Sequence, residues 1–367
     1  MILSALNGGL HIALSILIAI VALMVMIMVH ESGHYLVGKL LKFKINEFSI
    51  GFGPKLFSRK NASTGEVFSL RAIPLGGFCA FEGEEGDSEA EGAFNSQKPW
   101  KRILVLLAGV TFNFISAVLI LTILFATYGY TLPKIVTLNE PQTAIEQNFE
   151  VGDLLYRVNG KNVYSVIDTN ISNLLSSCGE EATVTVIRNG KKTDISVYKA
   201  DFKSHETDKE GNEVTEVYHG FGINIGYDYY RLNVWEAFIR SFIFIGQLVV
   251  LTFKTLGGLF TGAVGLKGSV GGTVTSVAAM GRVTMSLGFR GVLLMFGIMS
   301  ASVALMNALP FPALDGCHVV FVLIEWIAGK PVNRKVEAII HTVGLVLLFG
   351  FAILCDILNL GTIARLF

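Results

Sequence analysis

The chain has 367 residues, of which 52% are hydrophobic and 16% charged, and its 29 Lys and Arg balance its 29 Asp and Glu. An ordinary soluble domain carries about a quarter charged residues, so with a mean hydropathy of +0.57 the composition excludes a soluble globular protein and indicates an integral membrane protein with a soluble insert. The charge balance gives no footprint for nucleic acid, and Cys79, Cys178, Cys317 and Cys355 are too scattered for a disulfide framework or a thiolate metal site.

Leu10 to Val29 is apolar and long enough to cross a bilayer, and it runs into Met28-Val29-His30-Glu31-Ser32-Gly33-His34. The N-terminus lacks a basic first region and a small-residue cleavage site, so this first helix (1–41) reads as retained. Ionisable groups at membrane depth are costly and mark function. Four residues apart on a helix, His30 and His34 share a face and can reach one metal. Glu31, beside them, is a carboxylate placed to accept a proton from water.

Residues 42–98 are rich in Lys and Arg, whereas none precedes His30, so this loop is expected on the cytoplasmic side and the N-terminus outside. Phe48, Ile50 and Phe52 alternate with polar or small residues before Gly53-Pro54, and Glu66 to Ala72 reads as another strand before Pro74-Leu75-Gly76-Gly77. Short membrane-proximal β-hairpins are predicted here. A strand through Phe48, Ile50 and Phe52 with a free edge could take up an extended substrate segment. Glu82 to Glu91 reads as a solvated acidic loop.

A second span is predicted within 99–130, opened by Pro99 and Trp100 and ending near Tyr128 and Tyr130. Residues 131–230 turn soluble, with strands such as Thr183 to Arg188 and hairpin turns at Asn159-Gly160 and Asn189-Gly190. Phe149 to Gly160 resembles the strand-turn signature of PDZ domains, which bind peptide termini by strand addition. Asp201 to Glu216 reads as a polar loop. Within 231–288, Phe238 to Phe260 is interrupted by Arg240, Gln247 and Lys254. It reads as an amphipathic helix on the outer surface, followed by a glycine-rich return from Gly257 to Gly272. A third span within 289–318 and a fourth within 319–367 complete a polytopic α-helical membrane protein of four transmembrane helices, membrane-proximal β-hairpins and an extracytoplasmic PDZ-like α+β domain.

The third span leads into Asn307-Ala308-Leu309-Pro310-Phe311-Pro312-Ala313-Leu314-Asp315-Gly316. With four spans this end reaches the depth of His30 and His34. The pairing of H-E-x-x-H in a first membrane helix with N-x-x-P-x-P-x-L-D-G in a later one resembles the site-2 protease family of intramembrane zinc proteases. The Gly51-Phe52-Gly53-Pro54 and Pro74-Leu75-Gly76-Gly77 segments and the PDZ-like insert are similar to its bacterial subgroup that processes anti-sigma factors. That resemblance implies one zinc ion held by His30, His34 and Asp315, Glu31 as catalytic base, and Asn307 near the substrate backbone. Asn113 takes a similar substrate-side reading. His318 and His341 remain rival donors. The sequence departs from the family pattern at Val110, Cys317 and Ser269-Val270-Gly271.

The resemblance thus implies a membrane zinc metalloendopeptidase in a bacterial cytoplasmic membrane, cutting single-span membrane proteins such as anti-sigma factors within the lipid bilayer. Two other classes stay open. One is an idle scaffold that captures peptides through its insert; the other is a metal-ion transporter, which also places His and Asp in membrane helices.

Overall fold

A computed structural model describes residues 2–84, 86, 88–139, 148–163, 171–207 and 213–361. In chain order the elements are α1 (Ile2–Leu40), β1 (Ile45–Lys60), β2 (Val67–Phe81), α2 (Pro99–Thr127), β3 (Tyr130–Leu138), β4 (Leu154–Val158), β5 (Lys161–Asn162) and α3 (Ile171–Ser176). There follow β6 (Glu181–Arg188), β7 (Lys191–Tyr198), β8 (Ala200–Thr207), β9 (Glu213–Gly220), β10 (Ile223–Tyr230), α4 (Val234–Thr261), α5 (Thr273–Leu287), α6 (Phe289–Ala308), α7 (Asp315–Ala328) and α8 (Arg334–Leu358). The chain divides into one unit of residues 1–122 with 248–367 and a second of 123–247.

Among the described residues five helices are long and apolar enough to cross a membrane, where the sequence predicts four. The fifth is α4, an unbroken helix of 28 residues across the stretch read as a surface helix. The helix itself is as expected, and Arg240, Gln247 and Lys254, straight-chain residues of high helix propensity, lie within it. The glycine-rich return is shorter than expected, since α4 continues to Thr261 and α5 begins at Thr273.

In the first unit, Ala19 and Ala22 of α1 form a buried cluster with Met280 of α5. Two carboxylate oxygens of Asp356, near the end of α8, accept from the Val274 and Thr275 backbone N–H groups and so cap the first turn of α5. The predicted third span needs correction. Helix α6 stops at Ala308, and Leu309 is extended, as the residue before a proline prefers. Residues 309–314 form a break, and Asp315 opens a separate helix of 14 residues that ends at left-handed Gly329. The N-x-x-P-x-P-x-L-D-G run therefore begins on one helix and ends on the next.

The far end of α7 is tied to the start of α2 by a buried ion pair, Arg102 Nη1 to Glu325 Oε2 at 2.6 Å. Removing one partner of such a pair leaves an uncompensated buried charge and costs about 3–5 kcal/mol. The helix that begins with Asp315 is thus anchored to α2.

The expected short hairpins are one hairpin of two long strands, 16 and 15 residues, that fold over on themselves. Glu47 to Ile50 face Ala80 to Gly77 in descending register on one side and Val67 to Leu70 in ascending register on the other. The segment holding Phe48 and Ile50 therefore has neighbours on both edges, and Phe52 faces Ile73. A strand filled on both sides has no ladder groups left for a third chain. On this ground Phe48 and Ile50 do not offer the open edge, whereas Phe52 pairs on one side only. Glu47 staples this sheet. Burial opposes its charge, but hydrogen bonds from Ser69, Arg71 and Lys55 outweigh it and hold the carboxyl at about 2.

The second unit holds a six-stranded sheet ordered β10-β3-β4-β6-β7, with β5 paired to β4. Its core is built from Ile135, Leu155, Val158, Val184 and Val186 in the sheet, with Ile171 and Leu175 from α3. The predicted turns form, with positive φ at Asn159, Gly160, Asn189 and Gly190. Asp153, inside the PDZ-like signature, is buried and held at both carboxylate oxygens by Arg188 Nε and Nη2, at 2.8 and 2.7 Å. Residues 200–220 correct another expectation. Instead of a loop, β8 and β9 form an antiparallel ribbon from Ala200↔Gly220 to Thr207↔Glu213, with 208–212 outside the described residues. Parts of the insert, 140–147 and 164–170, and Glu85 and Asp87 of the acidic stretch also lie outside them.

Candidate metal centre

Helix α1 carries His30 and His34 on one face, and both are buried. Their Nε2 atoms stand 3.2 Å apart. The break after α6 brings Asp315 to them, with Oδ2 at 3.0 Å from His30 Nε2 and 3.5 Å from His34 Nε2. These are the residues the sequence paired, and the structure brings all three together. Asp315 Oδ2 is buried and makes no hydrogen bond despite those short separations. A carboxylate oxygen this close to two imidazole nitrogens puts three potential donor atoms around one point.

The spacing supports that view. Three ligands about 2.0–2.1 Å from a tetrahedral zinc lie roughly 3.3–3.4 Å from one another. The three edges found, 3.0, 3.2 and 3.5 Å, bracket that value. Two nitrogens and one carboxylate oxygen also match the donor types zinc takes in catalytic sites, which leave one position open.

Helix α2 builds the wall behind the two rings. Val105, Gly109 and Asn113 recur every four residues and so share one face. The Val105 carbonyl accepts a hydrogen bond from His34 Nδ1 at 2.8 Å, which places the ring proton on Nδ1 and frees Nε2 as a donor to metal. Asn113 is fully buried, and its amide nitrogen lies 3.4 Å from His30 Nδ1. At position 109 a Cβ would come within 2.8 Å of His30 Nε2 and closer still to His34 Nε2. The reciprocal approach is at Gly33, where a Cβ would meet the Ala108 carbonyl oxygen at 2.5 Å. Glycine at both positions lets α1 and α2 come this close.

Glu31 is half-buried, interacts electrostatically with His34, His30 and Asp315, and accepts a hydrogen bond from the Cys79 backbone N–H of β2. The segment Gly77 to Phe81 pairs on one side with β1, and its Cys79 N–H is directed instead to Glu31. Asn307 is half-buried in the last turn of α6, just before the break leading to Asp315. Phe52 is exposed and stacks on Phe78, with ring centroids 6.2 Å apart.

The rival donors His318 and His341 do not join the triad but form a second cluster with Glu337. Their rings stack at 3.8 Å, and His318 Nδ1 lies 3.6 Å from Glu337 Oε1. The Ala313 backbone N–H donates to His341 Nδ1 at 3.0 Å. A neutral ring accepting there carries its proton on Nε2, so neither nitrogen of His341 offers a free lone pair to a metal. This cluster lines a cavity of about 470 Å³ with Glu84, Arg334 and Thr342. Burial pushes the Glu84 carboxyl above its ordinary value, against the Phe81 N–H that donates to it at 3.1 Å. The sequence reading missed Val105, Gly109, the Cys79 N–H and Glu84. None of these acts through a side-chain type that a spacing pattern reveals.

Two buried histidines, a half-buried aspartate and an adjacent glutamate, on helices of which one is long enough to span a bilayer, are the residues of a membrane metallohydrolase site. The chain belongs to peptidase family M50, the site-2 protease family, whose pattern it matches over residues 18–351. Curated relatives agree over nearly their whole length. A protein of Fusobacterium nucleatum bearing the name "Putative zinc metalloprotease" is 34% identical across 94% of this chain and 98% of its own. Proteins with the same designation from Agrobacterium fabrum and Clostridium perfringens are 31% and 30% identical, covering 91% and 93% of this chain and 92% and 97% of theirs.

Proposed function

We propose that the protein is a zinc endopeptidase that hydrolyses peptide bonds within or beside the transmembrane segments of single-span membrane proteins. The observation that carries this reading is the convergence of His30, His34 and Asp315 within 3.5 Å of one another beside Glu31, with both histidines and Glu31 on a helix long and apolar enough to span a membrane. His30, His34 and Asp315 hold the ion. Zinc, when bound, is a Lewis acid that polarises a carbonyl and lowers the pKa of water from about 15.7 towards 7. Glu31 takes the proton from the attacking water and returns it to the leaving amine. The Cys79 N–H orients the Glu31 carboxylate before substrate arrives.

Asp315→Asn tests the ligand set. The amide keeps one neutral oxygen where a charged one stood, so zinc content and activity should fall together by at least about tenfold, metal affinity being sensitive even to neighbouring groups at the 10–100-fold level. Metal analysis showing both at wild-type level would move the third ligand elsewhere.

Before attack a substrate helix must unwind, and its freed backbone groups need partners. The Gly77 to Phe81 segment, beside Glu31 and paired on one side with β1, is placed to supply them by strand addition. In a Glu31→Gln background, a cysteine introduced by Phe78→Cys should form disulfides with single-cysteine reporters at alternating positions. A repeat of three to four residues would show that the substrate stays helical there, and strand addition would be wrong.

Substrates such as anti-sigma factors, a bacterial cytoplasmic membrane, an outward N-terminus and an outward insert follow from the family resemblance and the charge of residues 42–98. For the insert we favour peptide capture of the PDZ kind. Strand β10 has β3 as its neighbour at the end of the sheet, and a groove of about 280 Å³ beside it is lined by Ile223, Ile225, Phe221, Leu175 and Lys199. The scaffold and transporter readings have no use for Glu31 beside the three donors.

A further inference from the structure

The two histidines are not treated alike by α2. His34 has its Nδ1 proton taken by a backbone carbonyl, which no substitution can remove. His30 turns Nε2 to Asp315 and His34 in the same way, so its proton must also sit on Nδ1 if Nε2 is to give its lone pair to a cation. The group facing that Nδ1 is the side chain of Asn113.

Asn113 is fully buried, its Oδ1 is buried without a partner, and its Nδ2 lies 3.4 Å from His30 Nδ1. An amide nitrogen opposite an N–H sets donor against donor. The two ends of a carboxamide are nearly equal in size, so a half-turn about χ2 exchanges them without displacing neighbours. That turn puts the orphaned oxygen where it accepts from Nδ1. The backbone beneath is held in place, because Ser300 of α6 and Ser116 both donate to the Asn113 carbonyl, at 3.0 and 2.9 Å, and Ser300 is itself fully buried.

The geometry points to Asn113 as the positioning residue for His30: its side-chain oxygen accepts the Nδ1 proton and fixes the ring with Nε2 towards the metal. This goes beyond the metal reading above and rests on it. Asn113 is fully buried and its side chain faces His30, so this role differs from the substrate-side reading. The residue acts through His30 and not on the peptide.

The test is competitive zinc titration of the full-length protein in detergent against a chromogenic chelator, with Asn113→Leu, Asn113→Asp and His30→Ala beside wild type. Leucine keeps the volume and loses the acceptor, and should weaken zinc about 10–100-fold. Aspartate can only accept, and should bind zinc as tightly as wild type or more so. A packing role predicts the reverse order, with leucine tolerated and the buried charge not. Wild-type affinity in Asn113→Leu, or a loss of tenfold or more in Asn113→Asp, overturns the inference. Should Asn113→Leu fail to fold, the aspartate result decides alone. His30→Ala separates the two levels: if it keeps wild-type zinc affinity, the ligand assignment itself fails and the role of Asn113 with it; if it loses zinc, the Asn113 variants judge the positioning role by itself.

Discussion

Glu31→Gln is expected to stop cleavage of a single-span reporter while leaving the protein folded and loaded with zinc. Glutamine preserves the shape of the side chain and can still accept from the Cys79 N–H, so the substitution removes little besides the ability to take a proton. A positioned general base contributes about 10²–10⁴-fold, and here the same group also protonates the leaving amine, so the loss should lie at or beyond the upper end. The three donors are untouched, and metal content should stay at one ion per chain. Undiminished cleavage would remove Glu31 from the chemistry. Lost zinc would place it among the ligands.

Gly109→Ala should have the second large effect, and on the opposite property. One methyl group would sit 2.8 Å from His30 Nε2 and closer still to His34 Nε2, against rings held by the Val105 carbonyl and by Asn113. Neither ring is free to swing away, so either α1 and α2 separate or the nitrogens turn from their common point. Zinc affinity should fall by more than about 100-fold, beyond what loss of one supporting hydrogen bond produces. Native metal affinity in the Gly109→Ala variant would mean that the two helices are not packed as described.

How the site reads from sequence depends on which part of each residue does the work. His30, Glu31, His34 and Asp315 act through side chains at characteristic spacings, so the pattern exposed them and the structure brings the three donors together. The wall behind them acts through a backbone oxygen at Val105 and a missing side chain at Gly109, and neither leaves a chemical signature in a run of apolar letters. Alternation through Phe48, Ile50 and Phe52 indicates a strand but carries no information on which edge stays open. Only the double-sided register from Glu47 to Ile50 moves the candidate edge to Gly77 to Phe81.

Helix α4 is a helix as expected, and its length and apolar content also suit a span. The third span, by contrast, does not run through to the Asp-Gly pair. Pro310 and Pro312 already warned that a helix would stop before them. The break they cause, the separate helix α7 and the unforeseen helix α5 are what deliver Asp315, and the donors meet whichever way α4 lies in a membrane. The polar stretch that forms β8 and β9 carries few apolar residues after Phe202, so it shows no apolar period to detect.

The most direct measurement is cleavage of a single-span reporter by the purified protein in liposomes, with the products mapped by mass spectrometry. The account predicts a cut inside or at the edge of the apolar segment, lost on chelation, restored by one equivalent of zinc, and absent with Glu31→Gln. A protein that binds one zinc through His30, His34 and Asp315 yet leaves such reporters intact, or cuts them unchanged after zinc is removed, would contradict it.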